Sequence, residues 1–289
     1  MQGPRIYNLF PLLAGRIDQW DEHLDHAAAM GFDWIYVNPI QYPGFSGSLY
    51  AIKDDSRLHP VLAPNGGSFD DLVGGMIGKA AARGLKVMVD LVINHTSKDS
   101  VLVDRKPHWY ARHSDGSLLS PSVADPEDPQ KITEWGDLAE IDYGRAETRA
   151  ELIAHWRGLA GHYASLGAEG FRCDAAYKVP SEVWAGIIGP LRGQRPGLIF
   201  AAETLGCRME DIQALRAAGF DLLFNSAKWW DFRAPWLLEQ YEAMRHVAPS
   251  IAFPESHDTP RLFDDVPEAG DAVAYYRLWA SFAAFFSFG

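Results

Sequence analysis

The feature that most constrains this chain is an alternation. Short apolar runs fall at residues 5–9, 34–38, 86–92, 170–174, 198–202, 222–225 and 250–253. Most lack a polar alternation, as in strands buried on both faces. Between and after them lie amphipathic helical stretches at 17–30, 69–83, 147–166, 182–191, 209–217, 236–246 and 271–285. Gly84 and Gly167 stand just past two of these, where helix stops belong. Such a sequence implies parallel strands joined by right-handed helical crossovers.

Seven strand–helix units can be counted, and a closed barrel of this type needs eight. The expected fold is therefore α/β: a (β/α)8 TIM barrel truncated before its eighth strand. A seam is then expected between the seventh and first strands. Phe282, Phe285 and Phe286 of the last helix would pack on that unfinished wall. A doubly wound open sheet is the competing topology. It does not explain why polar residues gather just after the strand ends, as they do at the C-terminal face of a barrel. One connection is unusual. Between Val92 and Glu147 a long stretch rich in Asp, Ser, Pro and Trp shows no strong periodicity, and loops of that length are usually functional or form a subdomain. The expected division is residues 1–95 and 146–289 for the barrel and 96–145 for a loop subdomain after the third strand.

Composition excludes several classes. Of 289 residues, 47% are hydrophobic and 22% charged, which is ordinary for a globular chain and speaks against disorder. The net charge of −12 argues against nucleic acid or an anionic membrane as partner. Two cysteines, Cys173 and Cys207, cannot make a disulfide scaffold, and their spacing does not suggest zinc. They read as buried thiols in a reducing, cytoplasmic compartment. No stretch of 18 apolar residues occurs, and Met1-Gln2-Gly3-Pro4 does not open a signal peptide.

Chemistry concentrates at the strand ends. The third strand ends in Asp90-Leu91-Val92-Ile93-Asn94-His95. The fourth ends in Gly170-Phe171-Arg172-Cys173-Asp174, and the fifth in Phe200-Ala201-Ala202-Glu203-Thr204. Glu255-Ser256-His257-Asp258 follows the seventh. Three acids, Asp174, Glu203 and Asp258, are thus expected at one end of the barrel beside Arg172, His95 and His257. Several carboxylates around one pocket suit glycosidic bond cleavage: one protonates the leaving oxygen, another attacks or supports the cationic sugar carbon. Arg172 and Asp174 are two apart on one strand and so share a face. A guanidinium beside Asp174 keeps it ionised and aimed, which suits a nucleophile. Glu203 follows an apolar strand without a basic sequence neighbour, and a dry setting would raise its pKa, which suits a general acid.

As an ordered set, these four clusters resemble the signature regions of the α-amylase family, glycoside hydrolase family 13. The resemblance implies a retaining mechanism with Asp174 as nucleophile, Glu203 as acid/base and Asp258 as transition-state stabiliser. It implies that Arg172 orients Asp174 and that His95 and His257 hold sugar hydroxyls. Tyr50, in Gly47-Ser48-Leu49-Tyr50-Ala51-Ile52-Lys53-Asp54, resembles the family tyrosine that stacks on the sugar at the cleavage site. Trp135-Gly136-Asp137-Leu138-Ala139-Glu140-Ile141-Asp142 resembles a fifth conserved stretch, and the long loop the small B domain. Many relatives carry Lys-His starting three positions after the nucleophile, on the leaving-group side. Here Tyr177 takes that place and Lys178 follows. Tyr7-Asn8-Leu9-Phe10-Pro11 and Tyr42-Pro43-Gly44 resemble maltosyltransferase-like members.

Other residues divide between chemical and structural readings. Asp90 is expected at the site, chiefly in a buried ion pair or hydrogen bond. Asn94 is a calcium candidate by resemblance, but no set of six to eight oxygens accompanies it, so no metal or other cofactor is assigned. Trp229-Trp230 reads equally as a sugar platform or as packing. Trp109, Tyr110 and Trp135 read as the loop's own small core, and Cys173 as inert packing on the opposite face from Arg172 and Asp174. The expected function is an α-amylase-type retaining hydrolase of α-1,4-glucans or maltooligosaccharides. A transglycosylase of the same family is the alternative, and a silent glycan-binding scaffold a lesser one. Retention of all three acids favours an enzyme.

Overall fold

The computed structural model describes residues 3–124, 130–225, 229, 233–265 and 269–289. Strand β1 is Ile6–Leu9, followed by the short helix α1 (Pro11–Ala14). A 3-10 turn, Ile17–Gln19, leads into α2 (Asp21–Ala29), then β2 (Trp34–Val37). A hairpin, β3 (Gln41–Pro43) and β4 (Ile52–Leu58), precedes α3 (Phe69–Ala81) and β5 (Lys86–Leu91). The excursion holds β6 (His95–Ser97), α4 (Val101–Arg105), β7 (Ser122–Ala124), β8 (Ile132–Glu134) and β9 (Leu138–Glu140). Then come α5 (Ala146–Ser165), β10 (Gly170–Cys173), α6 (Ser181–Gln194), β11 (Ile199–Glu203) and α7 (Met209–Ala214). The chain ends with β12 (Leu222–Phe224), α8 (Trp236–Met244), β13 (Ser250–Ile251) and α9 (Ala269–Phe286).

Seven strands form one parallel sheet in the order β1-β2-β5-β10-β11-β12-β13. This is the truncated (β/α)8 barrel, not a doubly wound sheet: the strands follow one another around the curve with no switch in order. The seven expected strands and seven expected helices all form. The helices are positioned by local chemistry. Ser68 caps α3 by accepting the Asp71 N–H, which satisfies a donor that the helix itself cannot. Gly84 and Gly167, past the ends of α3 and α5, have φ of 75° and 110°, the left-handed region that ends helices cheaply.

Side-chain alternation divides the core in two. Ile35, Val37, Val87, Val89, Leu91, Phe171, Cys173, Phe200, Ala202 and Leu223 point outward into the layer under the helices. Trp34, Tyr36, Met88, Ala201, Leu222 and Ile251 point into the barrel. The inner layer is tight. A Cβ at Gly170 would stand 2.9 Å from the Trp34 ring and 3.3 Å from Met88 Cε, so only glycine leaves room there.

The excursion is zipped at its base, where β6 pairs antiparallel with β9. Trp109 and Tyr110 are buried as expected, and Trp109 Nε1 donates to Glu151 of α5 at 3.1 Å. Trp135 is different. It lines the pocket described below and does not join a core of the loop.

The seam also departs from expectation. The Phe288 N–H donates to Ser250 O, and Gly289 O accepts from Ala252 N–H, both at 2.9 Å, so the last residues lie along β13. Phe282 and Phe286 pack against the core, but Phe285 is turned to solvent. Adjacent helical residues lie about 100° apart, and here Phe286 takes the core side while Phe285 faces out. Among the described residues no helix is long and apolar enough to cross a membrane.

Candidate active site

The inward parity that builds the core also builds the site. Along β10, Gly170 and Arg172 point into the barrel, and Asp174 continues the same face one step past the strand. Asp90 on β5 pairs with Arg172 in register, and Glu203 ends β11 on the inner side. Apolar residues such as Trp34 and Met88 occupy the lower layers and charged ones the top. The polar groups therefore collect where the strands open into loops.

Arg172 is the hub. Its Nη1 lies 2.6 Å from Asp174 Oδ1 and 3.0 Å from Asp90 Oδ1, and its Nη2 lies 3.9 Å from Glu203 Oε2. Burial works against the charged guanidinium, but Asp90, Tyr36, Tyr50 and Asp174 outweigh it and raise the pKa. The bridge to Asp174 leaves Oδ2 of that carboxylate facing the pocket, 4.0 Å from His95 Nε2. That His95 nitrogen is buried without a hydrogen-bond partner, and burial lowers the ring's pKa. A neutral imidazole next to an open carboxylate oxygen is suited to meet a ligand hydroxyl.

Glu203 has no basic neighbour in sequence, but in space it has Arg172, brought by the adjacent strand. Burial nevertheless dominates. The Glu203 pKa rises to about 7; Arg172 opposes the rise, Asp174 adds to it, and the Leu205 and Ala175 N–H groups oppose it. Those N–H groups donate to Oε1 at 2.6 Å and Oε2 at 2.9 Å respectively.

A cavity of about 420 Å³ joins these groups. Asp174, Glu203, Asp258, Arg172, His95 and Tyr50 all line it, together with Asn94, Trp135, Tyr177 and Trp229. The three acids sought from sequence thus face one space. Asp174 and Glu203 are only 11% and 10% exposed, whereas Asp258, on the loop after β13, is 59% exposed. Trp230 lies outside the described residues.

Three residues expected to contact substrate do not line this cavity. Asp90 lies beneath its floor, in the buried ion pair and hydrogen bonds chiefly expected of it. Its Oδ2 accepts from Tyr36 Oη at 2.6 Å and Tyr50 Oη at 2.9 Å, and Arg172 reaches both oxygens. The reason is its position one layer below the strand end. Burial raises its pKa to about 6 despite Arg172. Lys178 turns away toward the excursion. Its Nζ donates to Ser122 O at 2.6 Å and lies over the Trp135 and Tyr177 rings. His257 stacks on Tyr50, with ring centroids 5.6 Å apart, and its Nε2 lies 2.8 Å from Tyr50 Oη and 3.1 Å from Asp258 Oδ2. One face of Tyr50 is therefore covered by His257, and the Arg172 guanidinium also lies over the ring, 5.6 Å from its centroid. His257 also lines a second cavity of about 300 Å³, mostly apolar, which runs from Arg172 and Glu203 toward the seam.

Sequence reasoning missed Tyr36 and Asn38. Asn38 Nδ2 donates to both Tyr36 Oη, at 3.1 Å, and Tyr50 Oη, at 2.9 Å. Period-two parity from Trp34 would have placed both inside the barrel. Asn94 lies beside His95, Nδ2 to Nδ1 3.3 Å. No group of three or more His, Cys, Asp or Glu placed to hold a metal occurs among the described residues, so calcium rests on the resemblance alone.

Comparisons with known proteins bear on the family and the fold. The family model described as glycogen debranching enzyme, glucanotransferase domain, matches residues 5–121. An α-1,4-glucan:maltose-1-phosphate maltosyltransferase of Burkholderia pseudomallei is 29% identical over 285 residues, 97% of this chain and 24% of that protein. One of Arcanobacterium haemolyticum is 25% identical over 256 residues, 81% of this chain and 35% of that protein. The chain thus spans well under half the length of these relatives. Among solved structures, an α-amylase from Lactobacillus plantarum superposes with a TM-score of 0.73 at 25% identity, covering 93% of this chain and 67% of that one. A maltogenic α-amylase from Thermotoga neapolitana gives a TM-score of 0.67 at 23% identity, covering 90% and 60%.

Proposed function

We propose that this chain, which belongs to the α-amylase family (glycoside hydrolase family 13) and has maltosyltransferase-like features, transfers α-glucan units by double displacement. The observation that carries the reading is the contrast between two buried acids in one pocket. Asp174 is ion-paired to Arg172 at 2.6 Å, while burial lifts Glu203 to about 7. The ion pair fixes Asp174 beside the guanidinium, and burial favours the acid form of Glu203, which divides the roles of nucleophile and acid.

In the first step Asp174 Oδ2, the oxygen turned from Arg172, attacks the anomeric carbon. The bond to the leaving glucan oxygen breaks, and that oxygen takes the Glu203 proton. In the second step an acceptor hydroxyl attacks the same carbon and gives its proton to the Glu203 carboxylate. The ester bond breaks and Asp174 is released as a carboxylate. Asp258 supports positive charge on the sugar ring between the two. His95 and Tyr50 hold the donor sugar, with His257 stacked behind Tyr50; Trp135, Tyr177 and Trp229 offer aromatic faces where leaving group or acceptor lies.

Transfer is favoured over hydrolysis by the relatives named α-1,4-glucan:maltose-1-phosphate maltosyltransferase. Hydrolysis is the second reading, favoured by the solved amylase structures. The substrate class in both is an α-glucan or maltooligosaccharide. The test is product analysis on maltooligosaccharides, alone and with added maltose 1-phosphate or inorganic phosphate. Chain redistribution, two-glucose elongation or a sugar phosphate supports transfer. Reducing sugar released without redistribution overturns it in favour of hydrolysis.

A further inference from the structure

The loop after β10 contains the one non-glycine residue with positive φ among the described residues, Ala175, at φ 42° and ψ 44°. L side chains avoid this region, and single residues held there concentrate at functional sites. The surroundings fix it. Before it, the Asp174 N–H donates to Leu91 O at 3.1 Å, ending the strand ladder. After it, the Lys178 N–H donates to Ala175 O at 2.9 Å, and Trp184 Nε1 donates to Ala176 O at 3.0 Å. Strand alternation turns the Asp174 N–H toward β5 and the next N–H, that of Ala175, toward β11, where it donates to Glu203 Oε2 at 2.9 Å. The left-handed turn at Ala175 then leads the chain off the strand directly after that donor.

The second Glu203 oxygen is held by the Leu205 N–H at 2.6 Å. Main-chain donors from two strands therefore grip both oxygens, and a proton on either oxygen must use its remaining lone pair. We propose that Ala175 is a positioning residue for Glu203: its N–H, fixed at the point where the left-handed turn leaves the strand, donates to Oε2 and orients the carboxyl. This rests on the acid/base reading of Glu203. That reading requires one carboxyl to be an acid in the first step and a base in the second. Burial alone would hold the proton too tightly for the first step, in which Glu203 gives it up, and an N–H on the charged form corrects this. The αL turn thus couples the geometry of the nucleophile's own loop to the proton affinity of its partner.

The test replaces Ala175 by lactic acid in the full chain, which changes the peptide N–H to an ester oxygen and keeps the side chain. Infrared titration of the carboxyl C=O stretch, with Glu203→Gln subtracted, reads Glu203 directly and does not require turnover. The ester is expected to move the Glu203 midpoint upward by about one to two pH units, and Ala175→Val, which disfavours the left-handed turn, to move it the same way. Ala175→Gly keeps the N–H and should keep the midpoint. An ester variant that titrates with the wild type overturns the proposal, as does a Gly variant that shifts as far as the ester. If instead Glu203→Gln keeps wild-type turnover on maltoheptaose, the acid/base reading fails, a result separate from the infrared one.

Discussion

Arg172 and Asp174 stand two residues apart at the end of β10, and their side chains meet at 2.6 Å inside the barrel. That contact follows from strand parity alone, since residues i and i+2 share a face. What parity does not supply is the second carboxylate on the same guanidinium, Asp90 at 3.0 Å from the neighbouring strand. Arg172 therefore serves the pocket with one bond and anchors the floor with another.

Asp174→Asn should keep the fold and lower turnover on maltooligosaccharides by about a thousandfold or more, because an amide cannot form the glycosyl ester. Steady-state kinetics beside a circular dichroism spectrum checks both halves. Near-normal kcat in a folded variant would exclude Asp174 as nucleophile.

Arg172→Met should destabilise the chain by about 3–5 kcal/mol, since it leaves the Asp90 charge buried without its cation. Denaturant unfolding measures this. Combining it with Asp90→Asn should recover part of the loss, because the stranded charge is then gone. Independent, additive losses would mean that the two side chains are not coupled.

Glu203→Gln should change stability in a pH-dependent way. The folded-state pKa of Glu203 is raised from 4.5 to about 7, so between those values the folded state binds more protons than the unfolded one. The stability that Glu203 contributes is full below about 4.5 and is lost as pH rises through about 7. The glutamine variant, which has no proton to lose, should gain about 3 kcal/mol on the wild type between pH 4 and pH 8. Unfolding curves at both pH values check this, and a difference that does not vary with pH would contradict a raised Glu203.

Gly170→Ala should cost about 1–3 kcal/mol through overpacking, since its Cβ would press on the Trp34 ring at 2.9 Å. Pairing it with Trp34→Phe should return part of that cost. Thermal or urea unfolding of the three variants decides whether the inner layer is as tight as the distances indicate.

Much of this protein was legible in the residues themselves. The seven strands and seven helices announce their period, and Gly84 and Gly167 mark two helix ends. Asp174, Glu203 and Asp258 fall where strands give way to loops. Each of these is a local property, set by backbone sterics, side-chain alternation and turn chemistry. The partners of those residues are not local. Asp90 appeared at the end of its strand in sequence, yet strand register puts it one layer down, where Tyr36, Tyr50 and Arg172 occupy its oxygens. Lys178 follows the expected position by one residue, yet its ammonium is drawn to Ser122 O across the excursion. Glu203 has no basic neighbour in sequence and gains Arg172 from the next strand. The chain alone determined which groups reach the top of the barrel. Strand register and the docking of the excursion decided which of them touch, because those contacts join residues tens of positions apart and depend on the packing of the whole sheet.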